Sequence, residues 1–188
     1  VGSATKIDHV QVSFSNDDSF EWFGGTVNCK YLIAYKGWDD DFDTDNGFSG
    51  KVQFGLAVRD PKIADQSQSN GFESDNCSDG SQLSPYTTAT FSNITFVGPK
   101  SASDFVNDKS YITAGNYFPN NGSGLGRFQA AMQIRRSSRL NCVNSLVMDW
   151  PIGLIIDGEK GNTPEEASKG TLRLQNILMA NLDIIGSD

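Results

Sequence analysis

Five carboxylates, Glu21, Asp43, Asp45, Glu73 and Asp75, fall in a short phrase that the chain repeats. Phe20-Glu21-Trp22-Phe23-Gly24 aligns with Phe42-Asp43-Thr44-Asp45-Asn46 and with Phe72-Glu73-Ser74-Asp75-Asn76. Side chains alternate across a strand. With Phe20, Phe42 and Phe72 facing inward, Glu21, Asp43 and Glu73 form one outward column, and Phe23, Asp45 and Asp75 the next. Like charges so placed repel by roughly 1–4 kcal/mol per pair at a protein surface, so the column requires compensation. Ca2+ on Asp43, Asp45, Glu73 and Asp75 would supply it through hard oxygen ligands. Protonation at raised pKa values or neighbouring basic side chains would supply it too. If Met132 takes the phenylalanine place in Ala131-Met132-Gln133-Ile134-Arg135-Arg136, Arg135 enters the column of Asp45 and Asp75 and can form a charge-assisted pair with Asp75.

Three kinds of chemistry suit such a face. A glycan-binding groove would use Glu21, Asp43, Asp45, Glu73 and Asp75 as acceptors of sugar hydroxyls, Arg135 as a donor, and Trp22 or Trp38 as a stacking ring. A structural scaffold would carry the carboxylates as a solvated, salt-bridged ladder. A Ca2+-dependent polysaccharide lyase would use the ion to acidify a uronate α-proton and Arg135 or a lysine as base. No lysine neighbours the column, and an arginine base is chemically demanding. The expectation is therefore a glycan-binding or scaffold module, with the lyase or another carbohydrate-active enzyme as the alternative.

Other motifs carry less. Asp39 to Gly47 has the alternating aspartates of an EF-hand loop, but the closing glutamate is missing: its place falls on Gly50 or Val52. Gly122-Ser123-Gly124-Leu125-Gly126 does not follow a strand and open a helix, so it lacks the setting of a phosphate loop. His9 is the only histidine, and no Ser-His-Asp arrangement can be assembled around it.

The elements that must position these residues follow from the repeat itself. The copies stand roughly 22 and 30 residues apart, the period of a coil with one insertion. A second phrase recurs with them: Ile7-Asp8-His9-Val10, Cys29-Lys30-Tyr31-Leu32, Phe91-Ser92-Asn93-Ile94, Cys142-Val143-Asn144-Ser145 and Leu174-Gln175-Asn176-Ile177. Each leads into a short β-type run bounded by Asn, Gly or Asp, too short for a helix. Stacked at the inter-strand spacing, Asn93, Asn144 and Asn176 form a column at one corner, where asparagine tolerates the left-handed backbone of a sharp bend. The pattern predicts an all-β chain: a single-stranded, right-handed parallel β-helix of about six coils over residues 1–188, with long loop insertions.

Those insertions are Ser13 to Ser19, Lys36 to Asp41, Asp60 to Asn70 and Gly98 to Arg127 at one corner, and Cys77 to Thr88 and Glu159 to Gly170 at the other end of the acidic strand. Thr163-Pro164-Glu165-Glu166 is suited to start a helical turn. The longest insertion carries Phe105, Tyr111, Tyr117 and Phe118 and is expected to cover or serve the scaffold.

Composition narrows the partners. With a net charge of −8 and only Arg135, Arg136 and Arg139 tightly grouped, nucleic acid is excluded as a partner. No apolar run is long enough for a membrane-spanning helix. Cys29, Cys77 and Cys142 cannot all pair and lack metal-ligand spacing, which makes Cys29 and Cys142 small apolar core residues. A chain that starts at Val1 reads as a mature or excised segment. The open ends of a β-helix expose strand edges, so self-association or further domains are expected there.

The block Asp17 to Asn28 followed by Gly37 to Pro61 resembles one found in uncharacterised secreted or surface-attached proteins of Bacteroidetes. The similarity spans about Ile7 to Asn76. It implies a right-handed parallel β-helix of the pectate-lyase-like superfold and an extracytoplasmic location, secreted or on the outer surface, and brings no catalytic residues with it. Asp43-Thr44-Asp45-Asn46-Gly47 is also similar to the Asn-Thr-Asp-Gly phrase of polygalacturonases. That family's Gly-His-Gly and Arg-Ile-Lys phrases are absent, so hydrolysis by its route is not expected.

Overall fold

A computed structural model describes residues 2–106 and 126–187. Among these residues, twelve strands form two parallel sheets of six. The long-strand sheet contains β1 (Lys6–Ser13), β3 (Asn28–Tyr35), β5 (Lys51–Val58), β7 (Thr90–Val97), β9 (Asn141–Met148) and β11 (Arg173–Ala180), in that spatial order. The short-strand sheet contains β2 (Glu21–Phe23), β4 (Phe42–Asp45), β6 (Phe72–Ser74), β8 (Ala130–Ile134), β10 (Ile152–Ile156) and β12 (Ile184–Ser187). Each coil places one strand in each sheet, so the described residues form a parallel β-helix of six coils.

Every long strand is bent at its fourth residue, where φ turns positive: His9, Tyr31, Phe54, Asn93, Asn144 and Asn176. This is the expected corner. Asn176 Nδ2 donates to Asn144 Oδ1 at 3.0 Å along the stack. The third coil, Val52-Gln53-Phe54-Gly55, escaped the sequence pattern because a glycine stands where the other copies mostly have an apolar residue. The glycine has a packing cause: a Cβ on Gly55 would lie 3.0 Å from Ile94 Cδ1 and 3.3 Å from Phe42 Cζ.

The core lies between the sheets. Phe42 and Phe72 reach inward from β4 and β6 to Phe91 and Phe96 of β7, with Phe72 and Phe91 centroids 5.4 Å apart and Phe42 and Phe96 6.2 Å apart. Phe20 stacks on Phe42 at 5.6 Å, extending the inward column to the first coil. Cys29 and Cys142 are buried in this core, and all three cysteines are free. The insertions leave from the two ends of the short strands as expected, and Thr163–Lys169 forms the helix α1. Tyr111, Tyr117 and Phe118 lie outside the described residues. Among those described, no helix is long and apolar enough to cross a membrane.

Candidate functional site

The short strands pair in the expected register, with Glu21 beside Asp43, Phe23 beside Asp45, and Asp43 beside Glu73. Phe72 pairs with Met132 and Glu73 with Gln133, which carries Arg135 to the level of Asp75. Arg135 Nε donates to Asp75 Oδ1 at 2.8 Å, and its Nη2 pairs with Glu73 Oε1. Arg136, not singled out beforehand, donates from Nη1 to Asp75 Oδ2 at 2.7 Å. Asp75 is therefore held by two guanidinium groups and is 4% exposed.

Three acidic residues from the loops join the strand carboxylates. Asp18, Asp39 and Asp40 line a pocket of about 200 Å3 together with Asp43, Glu73, Ser67, Gln68 and Arg135. Asp18 and Asp40 belong to a repeated position two residues before the inward ring. Asp40 N donates to Asp18 Oδ1 at 2.9 Å, Asn70 N to Asp40 Oδ1 at 2.5 Å, and Ala130 N to Asn70 Oδ1 at 3.1 Å. Each side chain thus caps the backbone of the next coil. The signal was present in the sequence as Asp-Asp-Ser-Phe, Asp-Asp-Asp-Phe and Ser-Asn-Gly-Phe.

The loop carrying Asp39 and Asp40 is fixed from below by Arg59. Its Nη1 donates to Asp39 O at 2.6 Å and Asp41 Oδ1 at 3.0 Å, and Nη2 donates to Trp38 O at 3.1 Å. Both side chains of the Arg59–Asp41 pair are fully buried. Trp38 Nε1 donates to Asp65 Oδ1 at 2.9 Å, so its indole is tied into the neighbouring loop. Trp22 lies on the inward side of β2, stacked on Phe48 at 5.2 Å and on Phe42 at 6.4 Å, and does not share the outward face of Glu21. Asp45 accepts the N–H of Asn46 at 2.6 Å and is half-buried beyond the pocket.

Electrostatics set the pocket apart. Burial, reinforced by the charge of Glu73, pushes the Asp43 carboxyl up to about 9. Burial raises Glu73 to about 8 despite the guanidinium of Arg135. Burial and the charge of Asp39 raise Asp18 to about 7, and burial raises Asp39 to about 6. Asp40 rises well above its ordinary value through burial and the charge of Glu73. Glu21 and Asp45 are raised as well, chiefly by burial. Among the described residues, Asp18, Asp40 and Asp43 have no ion-pair partner, because Arg135 and Arg136 are committed to Glu73 and Asp75.

This donor set fits a hard divalent cation. Carboxylate oxygens of Asp18, Glu21 and Asp43 lie within 4.8 Å of one another, as do those of Asp17, Asp18 and Asp39. Several oxygen ligands at such spacing are what Ca2+ requires. The expected ligands Asp43, Asp45, Glu73 and Asp75 are not one group: Asp43 turns toward Asp18 and Glu21, while Glu73 and Asp75 turn toward Arg135.

Beyond Arg135 the outward face continues as a wider groove of about 620 Å3, bordered by Gln133, Ile155, Asp157 and Pro164. No curated protein and no solved structure matches the chain. A family profile does match, over residues 1–185, and by it the chain belongs to the pectate-lyase-like beta helix domain family.

Proposed function

We propose that the chain is a polysaccharide-binding module that holds a glycan along the outward face of β2, β4, β6, β8 and β10 with the help of Ca2+. The observation that carries this reading is the convergence of Asp18, Glu21 and Asp43 beside a pocket whose arginines are already paired. A cation there would relieve the mutual repulsion of the buried carboxylates and leave coordination positions for sugar oxygens. The groove past Gln133 shares Ser67, Gln68 and Arg135 with the acidic pocket and would extend the path for a chain of sugar rings.

Binding is favoured over the lyase route that would use an arginine or a lysine as base. The pocket is lined by carboxylates, Ser67, Gln68 and Arg135, and Arg135 is a doubly paired guanidinium that stays protonated. No lysine lines it. Affinity gel electrophoresis against uronic and neutral polysaccharides, with Ca2+ or with a chelator, tests the proposal. Retention that depends on Ca2+ and is lost in Asp18→Asn/Asp43→Asn is expected. Absence of retention on every polysaccharide in Ca2+ would leave only a structural role, and new unsaturated or reducing ends would replace binding by catalysis.

A further inference from the structure

The outward face changes character between its third and fourth coils. In the column of Glu21, Asp43 and Glu73, the next two strands carry Gln133 and Ile155, paired side by side. Further along the same strands, Arg135 stands beside Asp157, whose N–H donates to Ile134 O at 2.9 Å. Strand alternation turns Gln133, Arg135 and Ile155 outward, and Asp157 joins them in lining the groove of about 620 Å3. Gln133 and Ile155, each 4% exposed, are its recessed floor, and residues 157–159 with Pro164 form one wall. Its size is that of a ligand site. Its chemistry differs from that of the acidic pocket: an amide, an aliphatic side chain and a carboxylate share one patch, and Arg135 is occupied by Glu73 and Asp75.

Gln133 is oriented by hydrogen bonds that begin in the backbone. Ala130 N donates to Asn70 Oδ1 at 3.1 Å, so the Asn70 amide turns its Nδ2 to Gln133 and donates to Oε1 at 3.1 Å. A backbone N–H needs an acceptor, so neither amide can be turned round. The oxygen of Gln133 is thereby spent, and among the described residues its Nε2 has no hydrogen-bond partner, although the side chain is nearly buried at the groove floor. A donor so placed is costly unless a ligand brings an acceptor to it. On the wall, Asp157 Oδ1 accepts the N–H of Glu159 at 2.6 Å, which leaves Oδ2 to accept from a ligand donor. Ile155 and the Pro164 ring offer apolar contact between the two.

An acetamido group has the three matching parts: a carbonyl that accepts, an N–H that donates and an apolar methyl. A sugar hydroxyl would satisfy Gln133 but leave Ile155 without an apolar partner. A uronate carboxylate at this position would face Asp157 and Glu159, with the Arg135 guanidinium already paired. We infer that, granted the glycan-binding reading on which this rests, the groove over Gln133 and Ile155 takes the N-acetyl group of an amino-sugar polymer, its carbonyl oxygen on Gln133 Nε2, its N–H on Asp157 and its methyl against Ile155 and Pro164. The sugar class held along the outward face is then an N-acetylated hexosamine.

Calorimetric titration of the intact chain in Ca2+ with fully N-acetylated chitotetraose, de-N-acetylated chitotetraose and cellotetraose tests this, since the three share one backbone and linkage and differ only at the second carbon of each ring. The acetylated tetramer should bind about tenfold tighter than cellotetraose, the discrimination of a hydrogen bond and a buried methyl. Gln133→Leu, which removes the donor at similar size, should abolish that preference. Asp157→Asn, which keeps an oxygen for the N–H of Glu159, provides a second variant should the first not fold, and the preference should fall several-fold. Equal affinity for the acetylated tetramer and cellotetraose, tighter binding of the free amine, no binding of any tetramer, or an undiminished preference in folded Gln133→Leu or Asp157→Asn would overturn the inference. Retention of uronic polysaccharides in Ca2+ without an acetamido preference strikes the N-acetyl site and leaves glycan binding standing. An acetamido preference that persists in chelator strikes the role of Ca2+ and leaves the N-acetyl site standing.

Discussion

Asp40 donates its backbone N–H to Asp18 Oδ1 at 2.9 Å, and Asp40 in turn accepts the N–H of Asn70 at 2.5 Å. The same side-chain position therefore serves as a backbone cap in successive coils and as the wall of the acidic pocket. As a cap it needs only an acceptor oxygen, which the amide of Asn70 supplies equally well. As a wall its charge is a liability in the absence of a cation.

Asp18→Asn separates the two roles. The cap oxygen is retained while one like charge is removed from beside Asp39, Asp43 and Glu21. Relief of repulsion at this partly buried site should stabilise the metal-free protein by about 1 kcal/mol, or roughly 2–4 °C in melting temperature for a chain of this size. The stabilisation produced by millimolar Ca2+ should shrink in the same variant. Thermal denaturation with Ca2+ and with a chelator reads both, and a variant less stable than the parent under chelation would show that the carboxylate is not repelled.

The pocket also sets a pH dependence. Asp18, Asp43 and Glu73 titrate at about 7, 9 and 8 in the folded protein, whereas unfolded carboxylates titrate near 4. Between these limits the folded state holds protons that the unfolded state has released, so stability falls as pH rises. The effect is absent below about pH 4 and complete above about pH 9. In chelator, the urea midpoint should be higher at pH 5 than at pH 8.5. Ca2+ at pH 8.5 should restore much of the difference, since it favours the ionised form. Equal midpoints at the two pH values in chelator would mean that the carboxylates are compensated by other means.

Much of this arrangement was legible before the structure, for definite reasons. The register of Glu21, Asp43 and Glu73 could be read because an inward ring marks each copy and alternation then decides every neighbour. Arg135 followed because Met132 keeps the inward place across a long insertion. The Asp18, Asp40, Asn70 position was missed because it lies outside the strands, where no alternation marks it and two copies sit inside runs of aspartate. Phe54 was missed because Gly55, needed to admit Phe42 and Ile94, stands where four of the other five copies carry an apolar residue. Trp22 was expected to offer a stacking ring to a glycan, but two positions after the inward Phe20 it faces inward as well, and its packing on Phe48 and Phe42 commits the indole to the core.

Arg59 supports the site from beneath, and its loss should be costly. Arg59→Met leaves Asp41 buried without its partner and releases the carbonyls of Trp38 and Asp39. Removing one member of a buried pair costs about 3–5 kcal/mol, a fall of at least about 6 °C in melting temperature. Because the Trp38–Asp41 loop is then unfixed, Ca2+ should also bind more weakly in the folded variant. Asp41→Asn, which keeps a hydrogen-bond acceptor for Arg59, should cost less. A loss below about 1 kcal/mol in Arg59→Met would show that the loop is held by its other contacts.

Two double variants decide which carboxylates meet the cation. Asp18→Asn/Asp43→Asn removes two of the three oxygen donors that lie within 4.8 Å of one another. Asp45→Asn/Asp75→Asn instead removes one half-buried acid and the partner of Arg135 and Arg136. The second pair should lower stability by about 3 kcal/mol, because it leaves the partly buried Arg136 without its carboxylate and Arg135 with Glu73 alone. Its thermal shift on adding Ca2+ should nevertheless match the parent's. The first pair should behave in the opposite way, stable in chelator and insensitive to Ca2+. If Asp45→Asn/Asp75→Asn is the variant that loses its response, the cation sits among the strand carboxylates alone, and the loop aspartates act only as caps for the next coil.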